Sequence, residues 1–138
     1  MKVLKFGGTS VGSVQSILNL KRIVEEAASK QSIIVVVSAL GGITDKLLST
    51  SELARQGDES WKNEFEGMVK RHHEMVDEVI KDSKKKELLS TIDMLFDQLH
   101  SIFYGVFLIH DLSQKTMDAI AKCNYASVSG TSVARDFV

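Results

Sequence analysis

The sequence contains no proline and a single cysteine, Cys123. At an average usage of about 5%, a chain of this length would contain about seven prolines, so their absence argues against a stiff linker. One cysteine excludes an intramolecular disulfide and a cysteine metal cluster within this sequence, and it fits a reducing compartment. We therefore expect a cytoplasmic location.

A strong charge of one sign and long apolar runs are also lacking. The formal net charge is −1, which creates no field that would attract nucleic acid or an anionic membrane. No apolar stretch approaches the roughly 18 uninterrupted residues that a membrane span needs. The 138 residues, 43% hydrophobic and 25% charged, are typical of one globular domain with a core. We expect no nucleic-acid partner and no membrane.

A βαβ pattern opens the sequence. Residues 2–6 are compatible with a strand, and apolar residues then recur at helical spacing before the β-branched run at 33–37. We expect this second strand to be buried on both faces, as parallel strands are. Each strand is followed by a pair of glycines, at 7–8 and 41–42, and the second pair precedes a predicted helix at 45–56.

A helical hairpin is predicted after this unit. Apolar residues form one stripe at spacings of three and four between residues 61 and 80, which indicates an amphipathic helix. Polar residues at 81–86 interrupt the stripe, and it resumes in a second arm at 85–110. That arm would be about 39 Å long at 1.5 Å per residue, long enough for a subdomain or a partner surface.

Secondary structure is harder to predict from the sequence beyond the hairpin. Ser113 precedes a polar first turn, so its hydroxyl is a candidate N-cap for a short helix through Ile120. No period is strong enough to assign residues 121–138. The predicted organisation is therefore a βαβ part with its loops at 1–57, a helical segment at 58–120 and an unassigned remainder.

The first glycine pair is a candidate phosphate-binding loop. Lys5 stands at the end of the first strand, Gly7 and Gly8 allow close backbone approach to an oxyanion, and Thr9 and Ser10 follow. Backbone N–H groups and a helix N-terminus can hold phosphate, while a lysine neutralises charge on a transferring group. The spacing matches neither a P-loop nor the dinucleotide fingerprint. A generic glycine turn is the alternative interpretation.

Two short hydroxyl side chains flank the second glycine pair. Ser38 follows the second strand, and Thr44 stands where the next helix begins. At the carboxyl end of a parallel strand such groups can bind a small dicarboxylate, although either residue could instead be a helix cap. Asp45 and Lys46 are expected to pair or to be solvated at the surface, and we do not include them in the site.

The four histidines do not suggest a metal site. His72 and His73 are adjacent and cannot both face one side of a helix, and His100 and His110 are ten residues apart. Zinc on a helix needs ligands four residues apart with further donors nearby. We therefore expect no bound metal among these side chains. The lysines at 84–86 are similarly expected to be a solvated turn.

Three segments carry a resemblance to aspartate kinases of the amino-acid kinase family. The segment 5–11 reads KFGGTSV and matches the first strand and loop of that family, and 37–47 reads VSALGGITDKL and resembles its next loop. A third stretch, 111–120, is similar to a family helix. The resemblance implies an α/β fold with a parallel-sheet βαβ core of the amino-acid kinase type and a long helical hairpin.

The resemblance also implies an activity and the residues that perform it. Family members transfer the γ-phosphoryl group of ATP, with Mg²⁺, to the side-chain carboxylate of L-aspartate, the first step towards lysine, threonine and methionine. Carried over to this sequence, Lys5 is the catalytic residue, and the phosphate contacts are Lys5, Gly7, Gly8, Thr9 and Ser10. Ser38 and Thr44 bind aspartate. A homo-oligomer is expected.

The sequence departs from the family after residue 120. The family has a Gly-Glu pair that helps to recognise the substrate, but no such pair occurs between residues 120 and 138, and 134–138 resembles a segment that the family places further on. Family members continue with a nucleotide-gripping half, usually with ACT domains and sometimes with homoserine dehydrogenase. We therefore expect the N-terminal portion of such a kinase domain, inactive by itself.

Two alternatives remain open at this point. Another enzyme of the same family, acting on glutamate, carbamate or a nucleoside monophosphate, would share the first glycine loop. A non-catalytic fragment that assembles through its helical hairpin would share the apolar stripes.

Overall fold

The computed structural model describes residues 1–129, with side chains through residue 123. The predicted α/β class is confirmed, with mostly helical content and a two-stranded parallel sheet. The elements in chain order are β1 (Lys2–Phe6), a 3-10 turn (Gly8–Val11), α1 (Val14–Ala28), β2 (Ile33–Val37), α2 (Ile43–Arg55), α3 (Trp61–Val79), α4 (Lys84–Ile109) and α5 (Gln114–Ser129).

The two strands pair in parallel, with Lys2 opposite Ile33 and Phe6 opposite Val37. Helix α1 connects them and buries Ile17 and Val24, which confirms the predicted βαβ unit. A parallel pair needs such a crossover because the chain must return to the same end of the sheet before the second strand starts.

The expectation that β2 is buried on both faces is wrong for the described part of the chain. Ile34 and Val36 are 45% and 44% exposed, and Val3 beside them on β1 is 58% exposed. Helix α1 covers the face that carries Val35, and none of the elements within residues 1–129 covers the opposite face. Burial of this run depends on packing partners, which the strand sequence does not specify.

The main core lies between the helices that follow the sheet. Trp61 and Phe103 are fully buried, and their ring centroids are 6.0 Å apart in an edge-on arrangement. Phe65 meets Phe103 at a centroid distance of 6.2 Å with the rings perpendicular. Residues from four helices share this cluster: Ile43, Leu47, Ala54, Trp61, Phe65, Met68, Leu99, Phe103, Val106 and Ile120.

The predicted hairpin is confirmed as α3 and α4. A smaller cluster formed by Val76, Ile80, Leu88 and Ile92 closes its turn end. The expected break at 81–86 is shorter than predicted, because the lysines at 84–86 already belong to the first turn of α4 and Lys85 forms an ion pair of 2.7 Å with Asp77. These lysines are therefore helical and not part of a turn.

Helix α4 has 26 residues, the number predicted for the second arm. By length and apolar composition alone it could cross a membrane. Within the fold, however, Leu88, Leu99, Phe103 and Val106 are buried against the other helices. The core helix of a soluble protein can have the same length and composition, so α4 does not indicate a membrane protein.

Helix α5 begins as predicted but ends later. The Oγ atom of Ser113 accepts a hydrogen bond of 3.2 Å from the Thr116 N–H, which confirms the N-cap. The expected end at Ile120 is wrong, because the helix continues to Ser129. Ile120 is buried and Cys123 packs partly against the same core, so tertiary contacts favour the additional turns. The segment 134–138 lies outside the described residues.

Core truncation tests this packing. We expect Phe103→Ala to lower the free energy of unfolding by about 3–5 kcal/mol, because it leaves a cavity among the aromatic rings. Leu108→Ala is the matched control, since Leu108 lies on the same helix but is 58% exposed, and its effect should be within about 0.5 kcal/mol. Trp61 is the one tryptophan in the sequence, so its fluorescence during urea unfolding reports on this core. Equal losses in the two variants would contradict the assignment.

Candidate functional site

The two glycine loops meet at one edge of the sheet. Because β1 and β2 run in parallel, both loops leave from the carboxyl ends of their strands. The Ser38 N–H donates a hydrogen bond of 3.0 Å to the Phe6 carbonyl oxygen, which extends the strand pairing by one residue. The segments that follow, residues 7–12 and 38–42, are therefore neighbours.

Three glycines form the contact between these loops. A Cβ atom built on Gly41 would lie 3.0 Å from the Gly8 carbonyl oxygen and 3.3 Å from the Gly12 Cα atom. A Cβ atom on Gly12 would lie 3.2 Å from the same Gly8 oxygen. A side chain at Gly12 or Gly41 would therefore press on the neighbouring backbone. We call Gly8, Gly12 and Gly41 the glycine contact.

The outer glycines of the loops face open space. A Cβ atom on Gly7 or on Gly42 would meet nothing within 4 Å, so the backbone on this side is accessible to a ligand. Gly42 also has a φ of +81°, a left-handed conformation that glycine adopts without a steric penalty. It occupies the N-cap position of α2 and turns the chain into that helix.

The first loop reaches α1 less directly than predicted. The Ser10 N–H donates to the Gly7 carbonyl oxygen at 2.9 Å, and residues 8–11 form a 3-10 turn that stands between the strand and α1. Helix α1 is then capped by Ser13, whose Oγ atom accepts a hydrogen bond of 3.1 Å from the Ser16 N–H. Ser13 was not among the residues predicted from the sequence, although a serine just before a helical pattern is a recognised start signal.

The predicted phosphate-side residues lie together in the chain and the fold. Lys5 is exposed on β1 opposite Val36, on the face of the sheet that α1 leaves open. Gly7, Gly8, Thr9 and Ser10 follow it through the 3-10 turn. The lysine therefore stands at the base of the loop and can extend past the end of the strand.

The two predicted hydroxyl side chains belong to the second loop. Ser38 directly follows β2, and its Oγ atom is 3.9 Å from the position of a Cβ atom on Gly8, so it borders the glycine contact. Thr44 is the second residue of α2 and is exposed. Since Gly42 is the N-cap, Thr44 does not have the capping role. Within residues 1–123, neither hydroxyl forms a side-chain hydrogen bond, and both can accept a ligand.

Side chains from the helical hairpin border the same region. Lys46 forms an ion pair with Glu64 of α3, and not with Asp45. Arg71, also on α3, donates from Nη2 to the Gly12 carbonyl oxygen at 3.2 Å. Neither partner was foreseen from the sequence, because each contact joins segments far apart in the chain.

A half-buried histidine follows Arg71. Burial lowers the pKa of His72, and its Nδ1 atom lies 2.8 Å from the Met68 carbonyl oxygen. The ring packs edge-on against Phe96 at a centroid distance of 5.0 Å. This histidine is therefore neutral at physiological pH and belongs to the packing of the hairpin.

The described side chains offer no metal-binding cluster: no group of three or more His, Cys, Asp or Glu residues within them could hold an ion. His73 instead lies 2.6 Å from the Asp93 carboxylate, between Nε2 and Oδ1, and His110 lies 3.2 Å from the Arg55 carbonyl oxygen. His73 thus joins the two arms of the hairpin, and His110 joins the end of α4 to the end of α2.

Comparison with known proteins gives one family. The model of the Amino acid kinase family matches residues 1–129. The chain is 53% identical over 55 residues to an aspartokinase of Bacillus sp. (strain MGA3), covering 39% of this chain and 13% of the relative. It is 25% identical over 119 residues to the chloroplastic bifunctional aspartokinase/homoserine dehydrogenase 2 of Arabidopsis thaliana, covering 86% of this chain and 13% of that protein. The chain thus spans only about an eighth of the length of these relatives.

The glycine contact can be tested by adding one methyl group. We expect Gly41→Ala to destabilise the protein by about 1–3 kcal/mol, because the new Cβ atom presses on the Gly8 and Gly12 backbone. It should also shift the amide NMR signals of residues 8–12. Gly67→Ala is the control, since Gly67 is helical and its Cβ atom would meet nothing within 4 Å. That change should stabilise the chain by about 0.5–1 kcal/mol. Unchanged signals at residues 8–12 in Gly41→Ala would disprove the contact.

Proposed function

The chain belongs to the amino acid kinase family, and on that basis we propose that it is the N-terminal portion of an aspartate kinase catalytic domain. In this proposal the first glycine loop holds the phosphoryl group that is transferred from ATP, and the second loop holds L-aspartate. The product is 4-phospho-L-aspartate. The similarity to proteins named aspartokinase supports the choice of substrate.

The observation that carries the proposal is the glycine contact. Phosphoryl transfer needs the donor and the acceptor in line and within reach, and little covalent chemistry from the protein. Gly8 and Gly41 touch backbone to backbone, so groups bound on the two loops are adjacent. Two loops separated by ordinary side chains would hold their ligands further apart.

The two loops would have different roles in the reaction. An oxygen of the aspartate side-chain carboxylate attacks the γ-phosphorus of ATP, the bond from that phosphorus to the bridging oxygen breaks, and ADP leaves. Lys5 would neutralise negative charge that develops on the transferred group, and the N–H groups of the first loop would orient it. Ser38 and Thr44 would hold the amino acid through their hydroxyl groups.

The described residues fit phosphate better than they fit a metal ion. Open backbone at Gly7 and a nearby lysine suit an anion. Mg²⁺ needs oxygen ligands, and the described residues provide no cluster of carboxylates. We therefore expect Mg²⁺ to accompany the phosphates of ATP, and we assign it no ligand here.

The wider role follows from the proposed reaction. Phosphorylation of aspartate is the first step towards lysine, threonine and methionine, and we propose a cytoplasmic homo-oligomer for the protein. Residues 1–57 would provide both loops, and residues 58–120 would support them as a helical unit.

An acceptor panel tests the substrate assignment. The full-length gene product that carries this sequence would receive ATP and Mg²⁺ with aspartate, glutamate, carbamate or a nucleoside monophosphate, and hydroxylamine would trap any acyl phosphate. ADP release would be measured in parallel. We expect aspartate to be preferred. Preference for another acceptor would replace this proposal with a different reaction of the same family, and absence of turnover with every acceptor would favour a non-catalytic role.

Lys5 should affect catalysis more than substrate binding. We expect Lys5→Ala to reduce kcat by on the order of 100- to 1,000-fold with little change in the aspartate KM, since the lost charge acts on the transferred group. Lys2→Ala is the matched control, because Lys2 is also an exposed lysine of β1 but lies at the opposite end of the strand. Steady-state kinetics with ATP saturating would measure both. An unchanged kcat in Lys5→Ala would exclude the assigned role.

The second loop should affect aspartate binding. Ser38→Ala and Thr44→Val each remove one hydroxyl, and we expect each to weaken aspartate binding by about 1–3 kcal/mol, the usual loss when a polar group that binding buries is left without its partner. Ser49→Ala is the control, since Ser49 is an exposed hydroxyl on α2 that bonds only the Lys46 carbonyl oxygen. Aspartate KM values within about twofold of wild type in both site variants would contradict the assignment.

A further inference from the structure

A side chain of the hairpin forms a hydrogen bond with the first glycine loop. The Nη2 atom of Arg71 on α3 donates to the Gly12 carbonyl oxygen at 3.2 Å, across 59 positions of sequence. The Arg71 side chain is half-buried, so this bond is better protected from water than one at an exposed arginine. A hydrogen bond from a charged donor is also stronger than one between neutral groups.

The hydrogen bond from Arg71 is made at the end of the 3-10 turn, where the turn's own hydrogen bonding is weak. Gly12 ends the 3-10 turn, and its N–H donates to the Thr9 carbonyl oxygen at 3.4 Å, a long and weak bond. Gly12 is also a member of the glycine contact with Gly8 and Gly41. Because glycine has the greatest backbone freedom of any residue, a loop rich in glycine needs external contacts to keep one conformation.

We propose that Arg71 is a positioning residue for the first glycine loop. By holding the Gly12 carbonyl, it keeps the 3-10 turn in the conformation that leaves the N–H groups of Gly8 and Thr9 for a phosphate, since those of Ser10 and Gly12 bond within the turn. The inference rests on the proposed function, since the phosphate is that of the ATP that the kinase would use. It also connects the hairpin to catalysis, because a shift of α3 would move the loop.

The proposal predicts a separation between stability and activity. Removal of the guanidinium should leave the aromatic core intact and give the loop more freedom. A misplaced loop would bind the transferred phosphoryl group in unproductive positions. We therefore expect kcat/KM for ATP to fall by on the order of 10- to 100-fold, the effect typical of small misplacements in a catalytic arrangement.

The experiment compares three variants of the full-length gene product that carries this sequence. Arg71→Met keeps most of the aliphatic stem and removes the donor, and Arg71→Lys keeps the charge with a single ammonium group. Lys70→Met is the control, because Lys70 is the neighbouring cation on α3, is exposed and approaches only Glu74, at 3.7 Å. Hydrogen–deuterium exchange of the ligand-free protein, the thermal midpoint and the ATP kinetics are measured for each.

Arg71→Met is expected to speed amide exchange in residues 7–13 while exchange in α4 and the thermal midpoint stay close to wild type, and to lower kcat/KM for ATP. Arg71→Lys should recover part of both effects, and Lys70→Met should show neither. Unchanged exchange in residues 7–13 would overturn the inference, as would faster exchange with wild-type kinetics. Faster exchange throughout α3 and α4 with a large fall in the midpoint would indicate a general structural role and would also overturn it.

The exchange measurement separates this inference from the proposed function. If the wild-type protein phosphorylates no aspartate but uses another acceptor, the substrate proposal fails while the kinetics with that acceptor still test Arg71. If it has no turnover at all, the kinase proposal fails, and the role of Arg71 in phosphate transfer fails with it even where the loop exchange responds.

Discussion

The close backbone approach of Gly8, Gly12 and Gly41 is the constraint on which the candidate site depends. Each pair of these residues is near enough that a methyl group on one would meet the backbone of another. The approach is possible because β1 and β2 are adjacent parallel strands and release their loops at the same edge. Helix α1 makes this geometry possible by returning the chain to the start of the sheet. The two glycine loops thereby become parts of one surface.

The helical part of the chain supports that surface from one side. Its core of Trp61, Phe65 and Phe103 fixes α3 and α4 relative to α2, which carries Thr44 in its first turn. Two polar contacts then extend from α3 towards the loops, the ion pair of Glu64 with Lys46 and the hydrogen bond of Arg71 with Gly12. The hairpin therefore contacts both the first loop and the helix that follows the second loop.

The sequence predicted those helices, strands and caps that are determined by residues close together in the chain. The strands, the hairpin and the Ser113 cap follow from strand-compatible and β-branched runs, helical periodicity and a hydroxyl before a polar turn, and each is present. The errors occurred where distant contacts decide the outcome. Helix α5 continues past Ile120, where Cys123 packs against the core of the other helices, and β2 is exposed on one face because none of the described elements covers it.

The sequence by itself determined which residues are candidates for the proposed phosphate-side and acceptor-side loops, because a lysine, paired glycines and short hydroxyls are the residue types that this chemistry needs. It also determined the βαβ order that brings strand ends together. Only the tertiary structure decided that Gly12 joins the contact and that Arg71 holds it. The structure likewise decided that Lys46 pairs with Glu64 and that Ile34 and Val36 stay exposed in the described chain. These features depend on distances between segments far apart in sequence, and such distances are set by how the helices pack.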